Sequence, residues 1–391
     1  MEITDSESMK QARTFKEFGF LAGKRFSSIL LTAFVVKPRF LTLMSRFGFT
    51  VRREQILVDS GDDSALVLHY SQSPTAKKPA FVLISGSSLR GGFYGFSNHL
   101  ARVLTFFGFH VFVPVLDDQK DYFLKQDSVE TLKKIIKGVA RLDIVEPDKI
   151  GLCGVSTGSC KILLAAEDPE INRLIRFALL FSPYATLEAA ARFAFSAKST
   201  GDEKQIVPEP YMRVLFALNT LDNIDPTLDK SVLRQTFLNY LKDRYDWAID
   251  DIRNIGKRER NFFLSVLRGT DVGEPIIATL CNNAEKFRNV LSPLTIQSDL
   301  GKPILIVHGI TDNVINCDQS KILAETITSS GGVTAHFSPI LQHQQFFSFW
   351  SNPWQWIIGF SQLSEIFFKT LVYFQTYDLL KRPVQADQSG Q

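Results

Sequence analysis

Residues 149–166, KIGLCGVSTGSCKILLAA, decide the fold. Residues 149–153 read as a short buried strand and residues 157–166 as a helix. They are joined by Gly154, Val155, Ser156, Thr157 and Gly158. So tight a strand-to-helix turn makes its central residue stand clear of the backbone, and the residues two before and two after it must be small to avoid collision. Gly154 and Gly158 meet that demand. Ser156 is therefore expected to be a nucleophile at the positive end of a helix whose free N–H groups face the reacting oxygen. The N–H of Thr157 would be one donor to an oxyanion.

Outward from this turn the sequence alternates. Residues 80–84, 110–115 and 175–181 read as buried strands, and 96–107 and 128–142 as helices, the latter with Leu132, Ile135, Ile136 and Val139 on one face. Upstream, 51–58 and 65–70 have strand character, and Ser60-Gly61-Asp62-Asp63 between them is turn chemistry, so a hairpin is predicted. The rhythm breaks near Leu187. From there the pattern is helical, most clearly over 231–255, while 197–209 reads as loop. It resumes with a strand at 303–308, a helix at 318–329 and a strand at 333–337. Strands alternating with helices imply a mostly parallel, doubly wound α/β sheet. The expected organisation is an N-terminal helical segment (1–48), a first core part (49–186), a helical insertion (187–299), a second core part with an aromatic-rich C-terminal helix (300–380) and a disordered tail (381–391).

Bulk properties narrow the function. With 391 residues, 45% hydrophobic and 22% charged, the chain can build a large core, and a net charge of +3 gives no electrostatic footprint for nucleic acid. The four cysteines, Cys153, Cys160, Cys281 and Cys317, lack zinc-ligand spacing and fit a reducing compartment, with a Cys281–Cys317 disulfide left open. No secretory signal is evident, and the first apolar run, 26–36, is shorter than the roughly 20 residues that span a bilayer. A cytoplasmic chain follows, with peripheral membrane contact left open at two places. Residues 18–53 carry seven Lys/Arg and no acid among Phe, Leu, Ile and Val, which fits an interfacial helix over 18–48 or a helix packed on the core. Trp350, Trp354 and Trp356 fall within seven residues and fit either a membrane interface or a helix packed on the sheet.

A serine hydroxyl needs a base, and the chain has six histidines. His69, His110, His308 and His336 sit in or beside predicted strands and His99 in a helix, whereas His343 follows the last strand in a loop returning to the C-terminal sheet edge. His343 is the expected base, with His336 in reserve. The imidazole needs a carboxylate to fix its tautomer, and Asp312 lies just beyond the strand that ends in PILIVHG (303–309). The alternative for Asp312 is a turn residue bonding its own backbone. The second oxyanion donor is expected from the turn after strand 80–84, at the N–H of Ser87. This loop lacks the Gly-Lys-Ser/Thr ending of a phosphate loop.

The chain resembles the α/β-hydrolase superfamily. The resemblance rests on Gly154-Val155-Ser156-Thr157-Gly158, on PILIVHGITD at 303–312 and on His343, in the order Ser, Asp, His that this fold uses. It covers about residues 51–346 and places the helical insertion as a cap after the sixth strand. It implies Ser156 as nucleophile, Asp312 as acid, His343 as base, and Thr157 and Ser87 as oxyanion donors. Many members have His-Gly where this chain has Ser85-Gly86, and Gly where it has Gln342 before the histidine.

The expected reaction is acyl transfer to water with no metal or cofactor, on a small-molecule ester or lipid, in a cytoplasmic or peripherally membrane-bound protein of unspecified oligomeric state. Phe193, Phe195, Phe216, Phe237, Phe262 and Phe263 in the insertion either line an apolar acyl pocket or build its core. Two alternatives stay open: a peptidase or amidase with the same triad, and a non-catalytic binding protein that keeps the fold.

Overall fold

A computed structural model describes residues 4–46, 50–59, 64–87, 95–125, 127–196, 206–282, 292–343 and 345–380. The hairpin turn expected at 60–63 and the tail at 381–391 lie outside the described residues. Eight strands form one sheet: β1 (Arg52–Asp59), β2 (Ser64–Ser71), β3 (Lys78–Ile84), β4 (His110–Pro114), β5 (Val145–Val155), β6 (Ile175–Phe181), β7 (Ile304–Gly309) and β8 (Val333–Ser338). Their order is β1-β2-β4-β3-β5-β6-β7-β8. β2 is antiparallel to both its neighbours, and from β4 to β8 every pairing is parallel. The β1–β2 hairpin is as predicted.

Alternation along each strand builds two cores. Ala80, Val82, Ile84, Leu152, Ala178, Leu180 and Ile306 face one side of the sheet. There they meet α5 (Ser128–Ala140), α6 (Thr157–Ala166), α7 (Pro169–Leu174) and α14 (Asp318–Thr326). Phe81, Leu83, Cys153, Val155, Phe177, Leu179 and Val307 face the other. These meet α1 (Thr4–Val36), α2 (Pro38–Arg46), α3 (Phe96–Phe106) and α15 (Pro353–Leu380). Much of the phenylalanine sits on this second face, where the Phe374 ring packs 5.0 Å from Phe81, 4.8 Å from Phe109 and 4.9 Å from Phe177.

Between β6 and β7 the described chain is helical: α8 (Leu187–Phe195), α9 (Pro210–Thr220), α10 (Lys230–Leu241), α11 (Tyr245–Asn254), α12 (Lys257–Arg268) and α13 (Gly273–Asn282). A short helix, α4 (Asp117–Asp121), follows β4.

Two expectations are corrected, and two points left open find one of their alternatives. The single helix expected over 231–255 is two, because Asp243 takes a left-handed conformation (φ 54°) that breaks it between α10 and α11. α1 is much longer than the apolar run 26–36, and both Gly19–Val36 and Pro353–Phe374 are long and apolar enough by length and composition to cross a membrane. All four cysteines are free. Phe193, Phe216, Phe237 and Phe263 are buried, the last three in the same core cluster as the first face of the sheet, with Phe195 and Phe262 packed against that cluster.

Candidate active site

β5 runs into α6 through Ser156 alone, which adopts φ 55° and ψ −126°. This is a conformation L-residues avoid, at a cost of about 1–3 kcal/mol. Three bonds pin it. Ser156 N donates to Phe181 O (2.8 Å), Ser159 N to Ser156 O (2.9 Å), and Ser159 Oγ to Phe181 O (3.0 Å). The two glycines are needed sterically. A Cβ on Gly154 would lie 2.5 Å from Ser159 Cα, and one on Gly158 would lie 2.4 Å from Ile84 O at the end of β3.

That proximity brings the turn after β3 to the N-terminus of α6. Ser87 Oγ lies 3.0 Å from Thr157 Oγ1. Gln119 on α4 donates through Nε2 to Ser85 O (2.8 Å) and Tyr211 on α9 donates its hydroxyl to Ser87 O, so the turn is held from two sides. The neighbouring Asp118 forms a fully buried ion pair with Lys161 of α6.

At the end of β7, Asp312 is fully buried. Its Oδ1 accepts from Val314 N (2.9 Å) and Ile315 N (3.0 Å), so the turn-residue role also holds. Its Oδ2 lies 2.9 Å from His343 Nδ1 and 3.3 Å from His308 Nε2. Burial by itself would raise the Asp312 carboxyl. The His343 imidazole beside it and the contacts from His308 and His343 outweigh it and hold the group well below the usual carboxylate range. His308 Nε2 also faces Ile315 O at 2.9 Å, so it confronts two acceptors and carries a proton.

His343 sits at the turn between two short strands, β9 (Leu341–Gln342) and β10 (Gln345–Phe346), with φ 29°. This hairpin lies directly on the end of β7, where a Cβ on Gly309 would be 2.0 Å from Leu341 O. His336, the reserve base, is in β8 with Nε2 buried and, among the described residues, without a hydrogen-bond partner.

One cavity of about 600 Å³ collects Ser87, Ser156, Thr157 and His343, with Gly86, Gln342 and Gln345 beside them. The remaining wall comes from 207–212 of the insertion and from Asn313 and Val314. Asp312 stands behind His343. Among the described residues no hydrogen bond joins Ser156 Oγ to the imidazole. In unliganded enzymes such bonds are often long and tighten when substrate binds. Phe193, Phe195, Phe216, Phe237, Phe262 and Phe263 are not among the residues that line this cavity.

Three contributors were missed from sequence. His308 was set aside as a strand residue, although it precedes Asp312 by one helical-type step of four. Tyr211 and Glu209 flank Pro210 in a stretch read partly as loop. Pro208 and Pro210, which favour extended chain, were the available signal. Glu209 N donates to Asn313 O (2.8 Å), tying this segment to the Asp312 loop.

The strand order with an antiparallel β2, and a serine on the turn from the fifth strand to a helix, define the α/β-hydrolase fold. No protein-family model and no curated protein sequence matches the chain. Among solved structures it is similar to a Pyrococcus horikoshii acylaminoacyl peptidase, at 12% identity and TM-score 0.43, over 75% of this chain and 38% of the peptidase. It is also similar to EstE1, a thermostable carboxylesterase cloned from a metagenomic library, at 17% identity and TM-score 0.44, over 91% and 97% of the two chains. A Pyrobaculum calidifontis esterase aligns at 13% identity and TM-score 0.42, over 95% and 99%.

Proposed function

We propose that the protein is a serine hydrolase that cleaves carboxylic esters through an acyl-enzyme. The observation that carries this reading is the Asp312–His343 pair, 2.9 Å apart, opening onto the cavity that holds Ser156 on its strained turn. Asp312 fixes the imidazole with Nδ1 protonated, which leaves Nε2 as the base. His343 takes the Ser156 proton as Oγ attacks the ester carbonyl. The N–H groups of Thr157 and Ser87 hold the oxyanion, and His343 returns the proton to the departing alcohol. Water then repeats the sequence and releases the acid. Val207, Pro208, Pro210, Met212 and Val314 give the cavity an apolar wall suited to an acyl chain.

The test is labelling by a fluorophosphonate together with turnover of p-nitrophenyl esters and matched anilides. Wild-type protein is expected to label and to prefer esters. Ser156→Ala is expected to lose both activities while staying folded. Anilide turnover exceeding ester turnover would make the protein an amidase. Folded wild-type protein that never labels would remove the catalytic reading.

A further inference from the structure

The face of the molecule built by α1, α2 and α15 departs from the usual rule that a helix turns its polar side to water. α1 and α15 run antiparallel. Ser28 Oγ lies 3.2 Å from Ser364 Oγ, and Lys37 Nζ lies 5.9 Å from the Trp356 ring. Their inner sides are core, with Leu31, Leu363, Ile366 and Phe367 at most 1% exposed.

Their outer sides are also apolar. Phe26 is 64% exposed and is followed by exposed Ile29 and Leu30, at helical spacing. On α15 the outward stripe is Trp354, 77% exposed, with Ile357 and Ile358, and Trp350 just before it is 85% exposed. The antiparallel register sets the start of α15 beside the end of α1 and the start of α2, where Phe40 and Leu43 are exposed as well.

The charge pattern matches the apolar one. Residues 326–364 contain no Asp, Glu, Lys or Arg, while residues 18–53 contain seven bases and no acid. Lys37, Arg39 and Arg46 are exposed, Lys37 over the Trp356 ring at the end that carries the tryptophans.

We propose that this face docks on the surface of an anionic lipid bilayer, with the aromatic and aliphatic side chains entering the headgroup boundary and the bases meeting lipid phosphates. Spanning is disfavoured, because the inner side of α15 covers the sheet and its Phe374 belongs to the aromatic core. A second copy of the chain fits poorly, since a symmetric contact would set the same bases against each other. The inference does not depend on the catalytic proposal. It does place the docking face next to the cavity, because Gln345 in the cavity wall precedes exposed Phe347 by two residues and Trp350 by five.

The test is co-sedimentation of the full chain, without substrate, with vesicles of phosphatidylcholine alone or mixed with phosphatidylglycerol. Binding to the mixed vesicles is expected, weakened by salt and accompanied by a blue shift of tryptophan emission. Lys37→Gln/Arg39→Gln is expected to weaken it about thirty-fold, and Trp350→Ala/Trp354→Ala to weaken it on both vesicle types. These side chains are exposed, so circular dichroism should show both variants folded. No binding of wild-type protein to the anionic vesicles overturns the proposal. So does binding that both variants leave unchanged, or light scattering that finds a dimer dissolved by the tryptophan variant.

Discussion

Asp312 is a carboxylate without access to water, so every lone pair it keeps must be answered by the protein. Two backbone N–H groups answer Oδ1, His343 answers Oδ2, and His308 Nε2, bonded to Ile315 O, lies 3.3 Å from that same oxygen. This makes His308 a positioning residue acting through Asp312, beyond its bonds to Ser320 and Ile315. A hydrogen bond to a charged group contributes about 1.5–3 kcal/mol. His308→Leu should therefore destabilise the fold by at least about that much at pH 7, since the bonds to Ser320 and Ile315 go too, measured by urea unfolding. In an Asp312→Asn background the loss should shrink, because no charge is left to satisfy. An undiminished loss there would mean that His308 serves only its other two partners. The depressed Asp312 titration gives the pH window. Its stabilisation is complete above the unfolded carboxyl value near 4 and declines as pH falls below that, when the unfolded chain takes up the proton first.

At the scale of elements, the site is an edge property, since the ends of β3, β5 and β7 and the β9–β10 hairpin each deliver one part. α9 adds a support from outside the sheet through the bond from Tyr211 to Ser87 O. Removing one oxyanion donor costs roughly 10²–10³ in turnover, and loosening the turn proposed to carry one should cost less. Tyr211→Phe is therefore expected to lower kcat about tenfold and to shift Tm by only a few degrees, measured by ester turnover and a thermal melt. Unchanged kcat would show that Gln119 and the Ser87–Thr157 contact hold the turn without it.

The same edge explains what could be read beforehand. The strand–serine–helix turn was legible because its sterics demand glycine at 154 and 158, and the buried strands because their two-faced apolar runs allow little else. Asp312 and His343 could be located from strand ends alone. The cavity wall at 207–212 could not, because the proline-rich approach to α9 carries no period and its position depends on the distant Asn313. The break at Asp243 escaped for a related reason. The apolar spacing of 231–255 continues through it, and only the backbone of one residue differs.

On the scale of the whole molecule, buried histidines should make acid lower its stability before acid protonates its carboxylates. His69 is 2% exposed, stacks on Phe112 at 4.7 Å and bonds through Nε2 to His110 Nδ1 at 3.0 Å. Burial first, and the nearby His110 second, lower its pKa to about 4. His99, His110 and His336 are shifted in the same direction, each chiefly by burial. Glu54, with an oxygen 3.8 Å from His69 Nδ1, pulls the other way, but it is half exposed and water weakens it. A histidine that refuses a proton when folded but accepts one near 6.5 when unfolded stabilises the fold fully above that pH. The stabilisation is lost as pH falls from 6.5 towards 4. For His69 alone the loss between pH 7.5 and 5 is about 2 kcal/mol, and the other three add to it. Urea unfolding at the two pH values should show at least that drop in wild-type protein. His69→Phe keeps the ring stacked on Phe112 but cannot titrate, so it should start less stable and lose about 2 kcal/mol less on acidification. An equal loss in both proteins would mean that the pair is hydrated or already charged in the fold, and that acid sensitivity arises elsewhere.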